Sequence, residues 1–316
     1  MNFSTKVPIV KYQNPIDYNS KIVSLGSCFA ENMGAKFDYF KFQNTINPFG
    51  IIFNPIAIEN LINRVVNKID FTEKDIFFHN DLWHCYEVHS ELSNPNATSF
   101  LLQLNKLLSD FHFQISNCSH LIITYGTSWV YRHKFLNKIV ANCHKVPQNQ
   151  FNKELLSVEI TQKSIENSIG LIQNINPNCK FIFTISPVRH IKDGFVENNV
   201  SKAHLIAAIH KIINYQLSNI NYFPSYEIMM DELRDYRFYA NDMLHPSPVA
   251  IDYIWSRFSE NYISEFEFET MDEVCSIQKS LLHKPFNPDT ESFLNFKKNL
   301  ELKINLLNEK KPEIKF

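Results

Sequence analysis

The chain has 316 residues, of which 44% are hydrophobic and 20% are charged. This composition excludes a largely disordered chain and predicts a soluble globular protein with a sizeable core. The 31 basic and 33 acidic residues give a formal net charge of −2, so no overall positive field favours a nucleic-acid partner. Gly occurs at six positions. Glycine-rich phosphate-binding loops are therefore not expected.

Neither a leader nor a membrane span is indicated by the sequence. The first ten residues include one Lys and no apolar run of signal-peptide length, and no stretch approaches ~18 consecutive apolar residues. The six cysteines are scattered and form no CxxC pair. We therefore expect a cytoplasmic protein with free thiols and no membrane contact. The 12 His have no zinc-site spacing, so no metal is expected and no cofactor is implied.

Apolar runs and helical spacings alternate along the chain. Buried strands are predicted over residues 21–26, 120–126, 180–187 and 222–229. Helices are predicted over residues 29–40, 54–68, 99–113, 157–174, 199–218 and 249–259. The alternation predicts an α/β protein, a three-layer α/β/α sandwich whose mainly parallel sheet is covered on both faces.

Two segments depart from that alternation. Residues 76–86, with Asn80 and Asp81 at the turn, predict a β-hairpin inserted in the sandwich. After residue 260 the strand signals stop, and helices are predicted over 270–282 and 290–308. We expect a main domain over residues 1–260 and a helical extension, 261–316, that packs on it because it is too small for a core of its own.

The first predicted strand ends in Gly26, followed by Ser27 and Cys28 where a helix begins. Ligands of open parallel sheets bind at the carboxyl ends of the strands. A nucleophile at a helix start there gains backbone N–H donors and a favourable helix dipole. The alternative is a glycine-ended strand followed by a buried structural cysteine.

Asp242 and His245 stand three residues apart in a turn before the helix at 249–259. This spacing can place a carboxylate behind an imidazole and fix its tautomer. The alternative is a surface histidine at the start of a helix.

Together these motifs resemble the SGNH (GDSL-type) hydrolase superfamily. More closely, residues 26–30 spell the motif that names the GSCFA domain family, and the resemblance continues at residues 47–50, 124–127, 142–145, 186–190 and 242–246. It covers about residues 20 to 260. It implies a flavodoxin-like sheet with strand order 2-1-3-4-5, Asp242 and His245 as acid and base, and Gly50 as an oxyanion-hole donor.

The nucleophile stays open between two neighbours. Aligned with the common Gly-Asp-Ser motif of the superfamily, the serine falls on Cys28, which would be a competent thiolate at a helix start. Ser27 is the alternative and would need His245 as general base.

The second oxyanion donor is open as well. Where the superfamily usually has Gly-x-Asn, this chain has Gly126, Thr127 and Ser128. Thr127 or Ser128 could donate instead, or Asn142 from a following loop, unless these residues are structural.

His144 and His190 each follow a strand end, so either could line the pocket. Arg189 could bind an anionic group of a substrate with its bidentate fork. The alternative for each is a loop residue bonded to nearby backbone.

The resemblance implies acyl-ester hydrolysis, with a carbohydrate or similar small-molecule ester as the substrate. An acyltransferase that uses the same site on glycans is the first alternative. The second is a non-catalytic glycan-binding module, indicated if Cys28, Ser27 and His245 do not converge to ~4 Å. The oligomeric state is left open.

Overall fold

A five-stranded parallel sheet forms the centre of the computed structural model, which describes residues 5–213, 219–287 and 290–316. In chain order the described strands are β1 (Lys21–Gly26), β2 (Gln43–Ile46), β3 (Ile76–His79), β4 (Leu82–Cys85), β5 (His120–Tyr125), β6 (Trp129–His133), β7 (Lys138–Val140), β8 (Phe151–Leu155), β9 (Lys180–Ile185) and β10 (Ile220–Phe223). The central sheet has the order β2–β1–β5–β9–β10, and every pairing in it is parallel. Counted among its own strands, this is the order 2-1-3-4-5, as the resemblance implied.

Helices cover both faces of this sheet. In chain order they are α1 (Cys28–Tyr39), α2 (Pro55–Val66), α3 (Ala97–Asn117), α4 (Val158–Ile175), α5 (Phe195–Ile213), α6 (Ser225–Glu227), α7 (Pro248–Tyr262), α8 (Phe268–Leu281) and α9 (Glu291–Lys310). Val23 and Leu25 of β1 pack in a core cluster with α2 to α5, whereas Ile22 packs in another cluster with α1 and α7 to α9. Because successive strand residues point to opposite faces, one strand serves both layers. The predicted three-layer α/β/α sandwich is confirmed.

Local sequence signals set the starts of the helices. Ser27, Asn54, Ser157 and Ser247 each accept a hydrogen bond from a first-turn backbone N–H, and Pro follows two of these caps directly. These side chains satisfy donors that a helix start leaves without an intrahelical partner. Caps of this kind made the helix starts readable from the sequence.

Two element predictions need correction. The strand predicted over 222–229 is wrong beyond Phe223, because Pro224 ends β10 and residues 225–232 are helical, as α6 and a π-helical turn. Its apolar residues Ile228 and Met229 are buried as helix residues. The helix predicted over 199–218 begins earlier, at Phe195, and its last five predicted positions lie outside the described residues.

Two small antiparallel sheets flank the main one. The predicted hairpin is present as β3–β4, with positive φ at Asn80 and Asp81 in the turn. A second sheet of order β7–β6–β8 was missed because its strands have three to five residues and several are half-exposed. β2 was also missed. It is a four-residue edge strand, half-buried throughout.

The C-terminal helices pack on the main body. Leu300, Leu307 and Ile314 are buried in the same cluster as residues of α1 and α7. The boundary near residue 260 stays a prediction. In the described part of the chain, no helix combines the length and the apolar character needed to cross a bilayer.

Candidate active site

The end of β1 is built for close backbone approach. Gly26 has φ +134°, and a Cβ placed there would lie 2.1 Å from the Thr124 carbonyl oxygen of β5. The Gly26 N–H donates to Asn47 Oδ1 at 2.8 Å, which ties the strand end to the loop after β2. A side chain at this position would therefore push apart the two strands that deliver the site.

Ser27 and Cys28 have different roles at the start of α1. Ser27 is 1% exposed, and its Oγ accepts from the Phe29 N–H at 3.2 Å as the helix cap. Cys28 is the first residue of the helix and is half-buried with a free thiol. The serine is thus engaged in a structural contact, while the thiol lies at the positive end of the helix dipole.

The groups around Cys28 shift the pKa of its thiol in opposite directions. Burial raises the pKa of the thiol above its ordinary value, and Glu31 in the same helix raises it further. The helix-start N–H groups and the Lys202 ammonium lower it, but they do not overcome the first two causes. At neutral pH the resting group is therefore the thiol, and a base is needed to make it nucleophilic.

Asp242 and His245 form a hydrogen-bonded pair. Asp242 Oδ2 lies 2.6 Å from His245 Nδ1, and Asp242 Oδ1 accepts from the backbone N–H of Leu244 and of His245. These backbone bonds are the main reason that the pKa of Asp242 falls to about 2, and the His245 ring adds to the effect. With Nδ1 donating to the carboxylate, His245 Nε2 is the nitrogen left to exchange protons. Both side chains are 45% exposed.

Arg189 holds the loop that carries this pair. Its backbone N–H donates to the Leu244 carbonyl at 3.1 Å, and its guanidinium donates to the Met243 carbonyl at 3.3 Å. The guanidinium also lies 5.2 Å from the ring centres of Phe195 and Tyr239. These contacts give Arg189 a structural function in the loop. Its predicted binding of an anionic substrate group stays a prediction.

A cleft of about 430 Å³ opens beside His245. Of the candidate residues predicted from the sequence, those that line it are Thr127, Asn142, Arg189, His190 and His245. Its walls also include three aromatic residues, Phe53, Trp129 and Tyr131, two of them from β6. Its volume falls in the range of small-molecule sites.

The remaining candidates are not among the described residues that line the cleft: Ser27, Cys28, Gly50, Gly126, Ser128, His144 and Asp242. A substrate that meets both the cleft and Cys28 must therefore extend beyond the residues that line the cleft.

His190 is a half-buried, neutral histidine in the wall of the cleft. Its ring stacks on Phe53 with 5.6 Å between centres, and its Nε2 is buried without a hydrogen-bond partner in the described structure. Burial, then Lys202 and His245, lowers the pKa of His190 to about 3. A charged His190 is thus strongly disfavoured at neutral pH.

Backbone groups predicted near the oxyanion are already hydrogen-bonded. The Gly50 N–H donates to the Asn47 carbonyl at 2.7 Å, and the Gly126 N–H donates to the Phe53 carbonyl at 2.8 Å. Gly50 can act as an oxyanion donor only by sharing or breaking its turn hydrogen bond. The same holds for Gly126.

Thr127 and Ser128 are tied to helix α5. Thr127 Oγ1 lies 2.8 Å from Ser201 Oγ, which also accepts from the Ser128 N–H at 2.7 Å. The Ser128 hydroxyl donates to the Ser201 carbonyl at 3.1 Å. These contacts dock α5 on the end of β5 and leave Ser128 fully buried.

Asn142 lies in the wall of the cleft with its side-chain amide fixed by hydrogen bonds. Its Oδ1 accepts from the His144 N–H at 2.8 Å and from the Ser90 hydroxyl at 3.0 Å. These bonds fix the amide, and within the described residues its Nδ2 has no protein acceptor. A fixed N–H donor in the wall of a cleft is what stabilisation of a developing negative charge requires.

His144 lies apart from the cleft and holds a loop to the hairpin. Its Nε2 is 2.7 Å from the Cys85 carbonyl oxygen, and its Nδ1 is 3.0 Å from Ser90 Oγ. Burial is the main cause that lowers the pKa of His144 to about 4, with His84 among the nearby groups that add to it. The ring is therefore neutral at pH 7. His144 is thus a loop residue bonded to nearby backbone, which was the structural alternative for it.

Lys202 is a site residue that the sequence reasoning missed. It is 1% exposed in the middle of α5, and its Nζ donates to the carbonyls of Gly126 and Ser186 at 2.7 Å each. Burial lowers the pKa of Lys202 to about 7. A signal was present, because position 202 falls on the same helix face as the buried residues Leu205, Ile209 and Ile212.

Four titratable groups thus influence one another at this edge of the sheet. Lys202 acts on Cys28 and on His190, and His245 acts on His190. Among the described residues, no hydrogen bond joins Cys28 Sγ to His245. Nor does the described part of the chain contain a cluster of three His, Cys, Asp or Glu that could hold a metal ion.

The architecture defines a doubly wound α/β protein whose candidate site lies at the carboxyl edge of the parallel sheet. The GSCFA family model matches residues 21–258, and the chain therefore belongs to the GSCFA family. The model of the GSCFA domain protein C-terminal domain matches residues 274–316. The resemblance to the GSCFA family stated from the sequence is confirmed. No curated protein matches the chain.

Proposed function

We propose that this protein hydrolyses small acyl esters, with Cys28 as nucleophile and the Asp242–His245 pair as acid and base. The observation that carries the proposal is this hydrogen-bonded pair at the edge of a cleft on the carboxyl side of the sheet, with Asp242 held as a carboxylate by two backbone N–H groups. A carboxylate behind the ring orients the imidazole and stabilises its charged form.

The reaction has two steps. His245 Nε2 takes the thiol proton, Cys28 Sγ bonds to the acyl carbon, and the carbonyl electrons move to the oxygen. As the alcohol leaves, it takes that proton from His245, and a thioester remains. Water then gives a proton to His245 and attacks the thioester, and the departing thiolate recovers the proton as the acid is released.

Two donors are proposed for the negative oxygen. One is the backbone N–H at the start of α1, and the other is Asn142 Nδ2 in the cleft wall. Cys28 and His245 must approach each other when the ester binds. Catalytic hydrogen bonds commonly tighten on forming the substrate complex.

The cleft supports a polar, ring-shaped alcohol such as a sugar as the leaving group. Trp129, Tyr131 and Phe53 offer aromatic surface, and Asn142 and Arg189 offer donors for hydroxyl groups. The exposure of His245 leaves a path for water, which favours hydrolysis over acyl transfer.

The test is hydrolysis of p-nitrophenyl acetate, with mass spectrometry of the acetylated peptides. We expect Cys28→Ala and His245→Ala to lose turnover by roughly 10²-fold or more. The adduct should map to Cys28. Ser27→Ala should keep the chemistry and lose about 1 kcal/mol of stability with its helix cap. Cys275→Ala is the matched control, because its thiol is half-buried but bonded to Tyr39 away from the site.

If Ser27→Ala abolishes turnover while Cys28→Ala does not, Ser27 is the nucleophile. If all variants match the wild type and no adduct forms with a range of acyl donors, the esterase proposal fails.

A non-catalytic glycan-binding module is the second candidate. It is favoured by the absence, among the described residues, of a hydrogen bond between Cys28 and His245. Under this alternative, saccharide binding measured by calorimetry is weakened by Trp129→Ala and unchanged by Cys28→Ala. Loss of turnover in Cys28→Ala would contradict it.

A further inference from the structure

Lys202 is a buried cation without a carboxylate partner. Its side chain is 1% exposed, and among the described residues no Asp or Glu lies within ion-pair distance of it. Its polar contacts are the carbonyls of Gly126 and Ser186, which directly follow the ends of β5 and β9. The ammonium therefore sits at the edge of the sheet where the candidate site lies.

Such a residue is costly for the fold. A buried ammonium group without a counter-charge loses the favourable solvation that it has in water. An apolar residue such as Met would pack on the same helix face, and two carbonyl acceptors require only two N–H donors. Helix packing alone thus gives no reason for a lysine here.

The charged and titratable groups around Lys202 point to what would compensate it. The Ser27 N–H donates to the Thr124 carbonyl at 3.1 Å, which places the start of α1 beside the end of β5, where the Gly126 carbonyl accepts from Lys202 Nζ. At this strand end Cys28 favours the charged form of Lys202, and Lys202 in turn favours the thiolate of Cys28. Glu31 acts on Cys28 in the opposite sense, and His190 is held neutral beside Lys202. A negative charge on Sγ is therefore the counter-charge that the site lacks at rest.

We propose that Lys202 is the charge partner of the Cys28 thiolate. It is a positioning residue that stabilises the thiolate form of the nucleophile in a buried site. The inference rests on the proposed function for the identity of the nucleophile. In the proposed first step the Sγ proton goes to His245, and the thiolate that remains forms a pair with the Lys202 ammonium. This pairing stabilises the thiolate again when the acyl group departs.

The test measures the thiol rather than turnover. The full-length protein is alkylated with iodoacetamide from about pH 6 to pH 10, and modification of the Cys28 peptide is followed by mass spectrometry. In Lys202→Met we expect the rate profile of Cys28 to move to higher pH, with at least a ~10-fold lower rate at pH 7, since each pKa unit changes the thiolate fraction tenfold.

Two controls accompany it. Lys211→Met makes the same substitution on the same helix at an exposed lysine, and it should leave the Cys28 profile unchanged. The alkylation rate of Cys275 is measured in each sample as well. Because Cys275 lies on a different helix and contacts Tyr39, a change in its rate would indicate a change in reagent activity or in folding.

Lys202→Gln keeps an N–H donor for the carbonyls without the charge, so it tests the proposal if Lys202→Met does not fold.

An unchanged Cys28 profile in a folded Lys202 variant would overturn the proposal. Failure of the proposed function is separate from this. It would show as no acetyl adduct on wild-type Cys28 even though the Lys202 variants shift the thiol profile.

Discussion

Replacing Lys202 by Met is expected to remove a pH dependence of stability. Burial lowers the pKa of Lys202 from 10.5 to about 7 in the folded protein, whereas the unfolded chain has the ordinary value. Between these values the unfolded state binds more protons than the folded state. The free energy of unfolding therefore rises with pH across this window. The Met variant has no such group and no such slope.

The size of the effect follows from the two pKa values. From pH 7 to pH 9, the folded lysine goes from half protonated to neutral while the unfolded lysine stays largely protonated. The wild-type side chain thus gains about 2 kcal/mol of stability that the Met variant does not. Buried tyrosines and cysteines with raised pKa act in the opposite sense at higher pH, so the comparison stops at pH 9.

The assay is urea unfolding followed by circular dichroism. Cys28→Ala is compared with Cys28→Ala/Lys202→Met, so that titration of the thiol does not enter the difference. Removing Cys28 also removes the group that raises the pKa of Lys202, so the slope should not become smaller. A difference in unfolding free energy that stays constant within about 0.5 kcal/mol from pH 7 to pH 9 would refute the reasoning.

Further predictions concern the acid–base pair, a strand end and a buried histidine. Asp242→Asn should lower ester turnover by roughly 10²- to 10⁴-fold without changing the melting temperature, because it removes the charge behind His245. Since the pKa of Asp242 is about 2, its carboxylate stays charged at higher pH. Protonation of Asp242 should therefore not set the acid limb of the wild-type pH–rate profile, which should lie well above pH 2. Gly26→Ala should lower the free energy of unfolding by at least ~3 kcal/mol, since its Cβ would lie 2.1 Å from a carbonyl oxygen. Gly170 is a helical position with open space around it, so Gly170→Ala should raise the free energy of unfolding by about 0.5–1 kcal/mol. The pKa of His144 is about 4 in the folded protein and 6.5 ordinarily. The free energy of unfolding should therefore fall by about 3 kcal/mol from pH 7 to pH 4 because of this residue, and His144→Gln should reduce that fall.

Each of these outcomes has a clear opposite. Turnover retained in Asp242→Asn would remove the carboxylate from the reaction. Equal melting temperatures for Gly26→Ala and Gly170→Ala would contradict the close approach of β1 and β5. An acid-induced loss of stability that is identical in His144→Gln, measured by urea unfolding at pH 4 and pH 7, would show that other groups carry it.

Much of the scaffold was predictable because its signals are local. The start of α1 depends on the Ser27 cap, and that of α2 on Asn54 followed by Pro55. The central strands β1, β5 and β9 are continuous apolar runs, as expected for strands buried on both faces. The contact between Asp242 and His245 needs just a turn of the backbone, so their spacing of three residues was enough to suggest it.

The short peripheral strands were missed for the opposite reason. β2 is a half-buried edge strand with polar residues, and β6 to β8 have no long apolar run. Pairing with a neighbour defines such strands more than their own sequence does.

By itself, then, the sequence determined the layered fold, the Gly26 strand end and the Asp242–His245 pair, because neighbouring residues decide helix caps, strand burial and tight turns. Tertiary structure alone decided which polar groups are free to act. The Lys202 ammonium donates to the Gly126 carbonyl, which lies 76 residues away in the sequence. Ser201 Oγ accepts from the Ser128 N–H, which lies 73 residues away. The partner of a buried donor or charge depends on which strand ends and helix faces meet in space, and this information lies outside any local pattern.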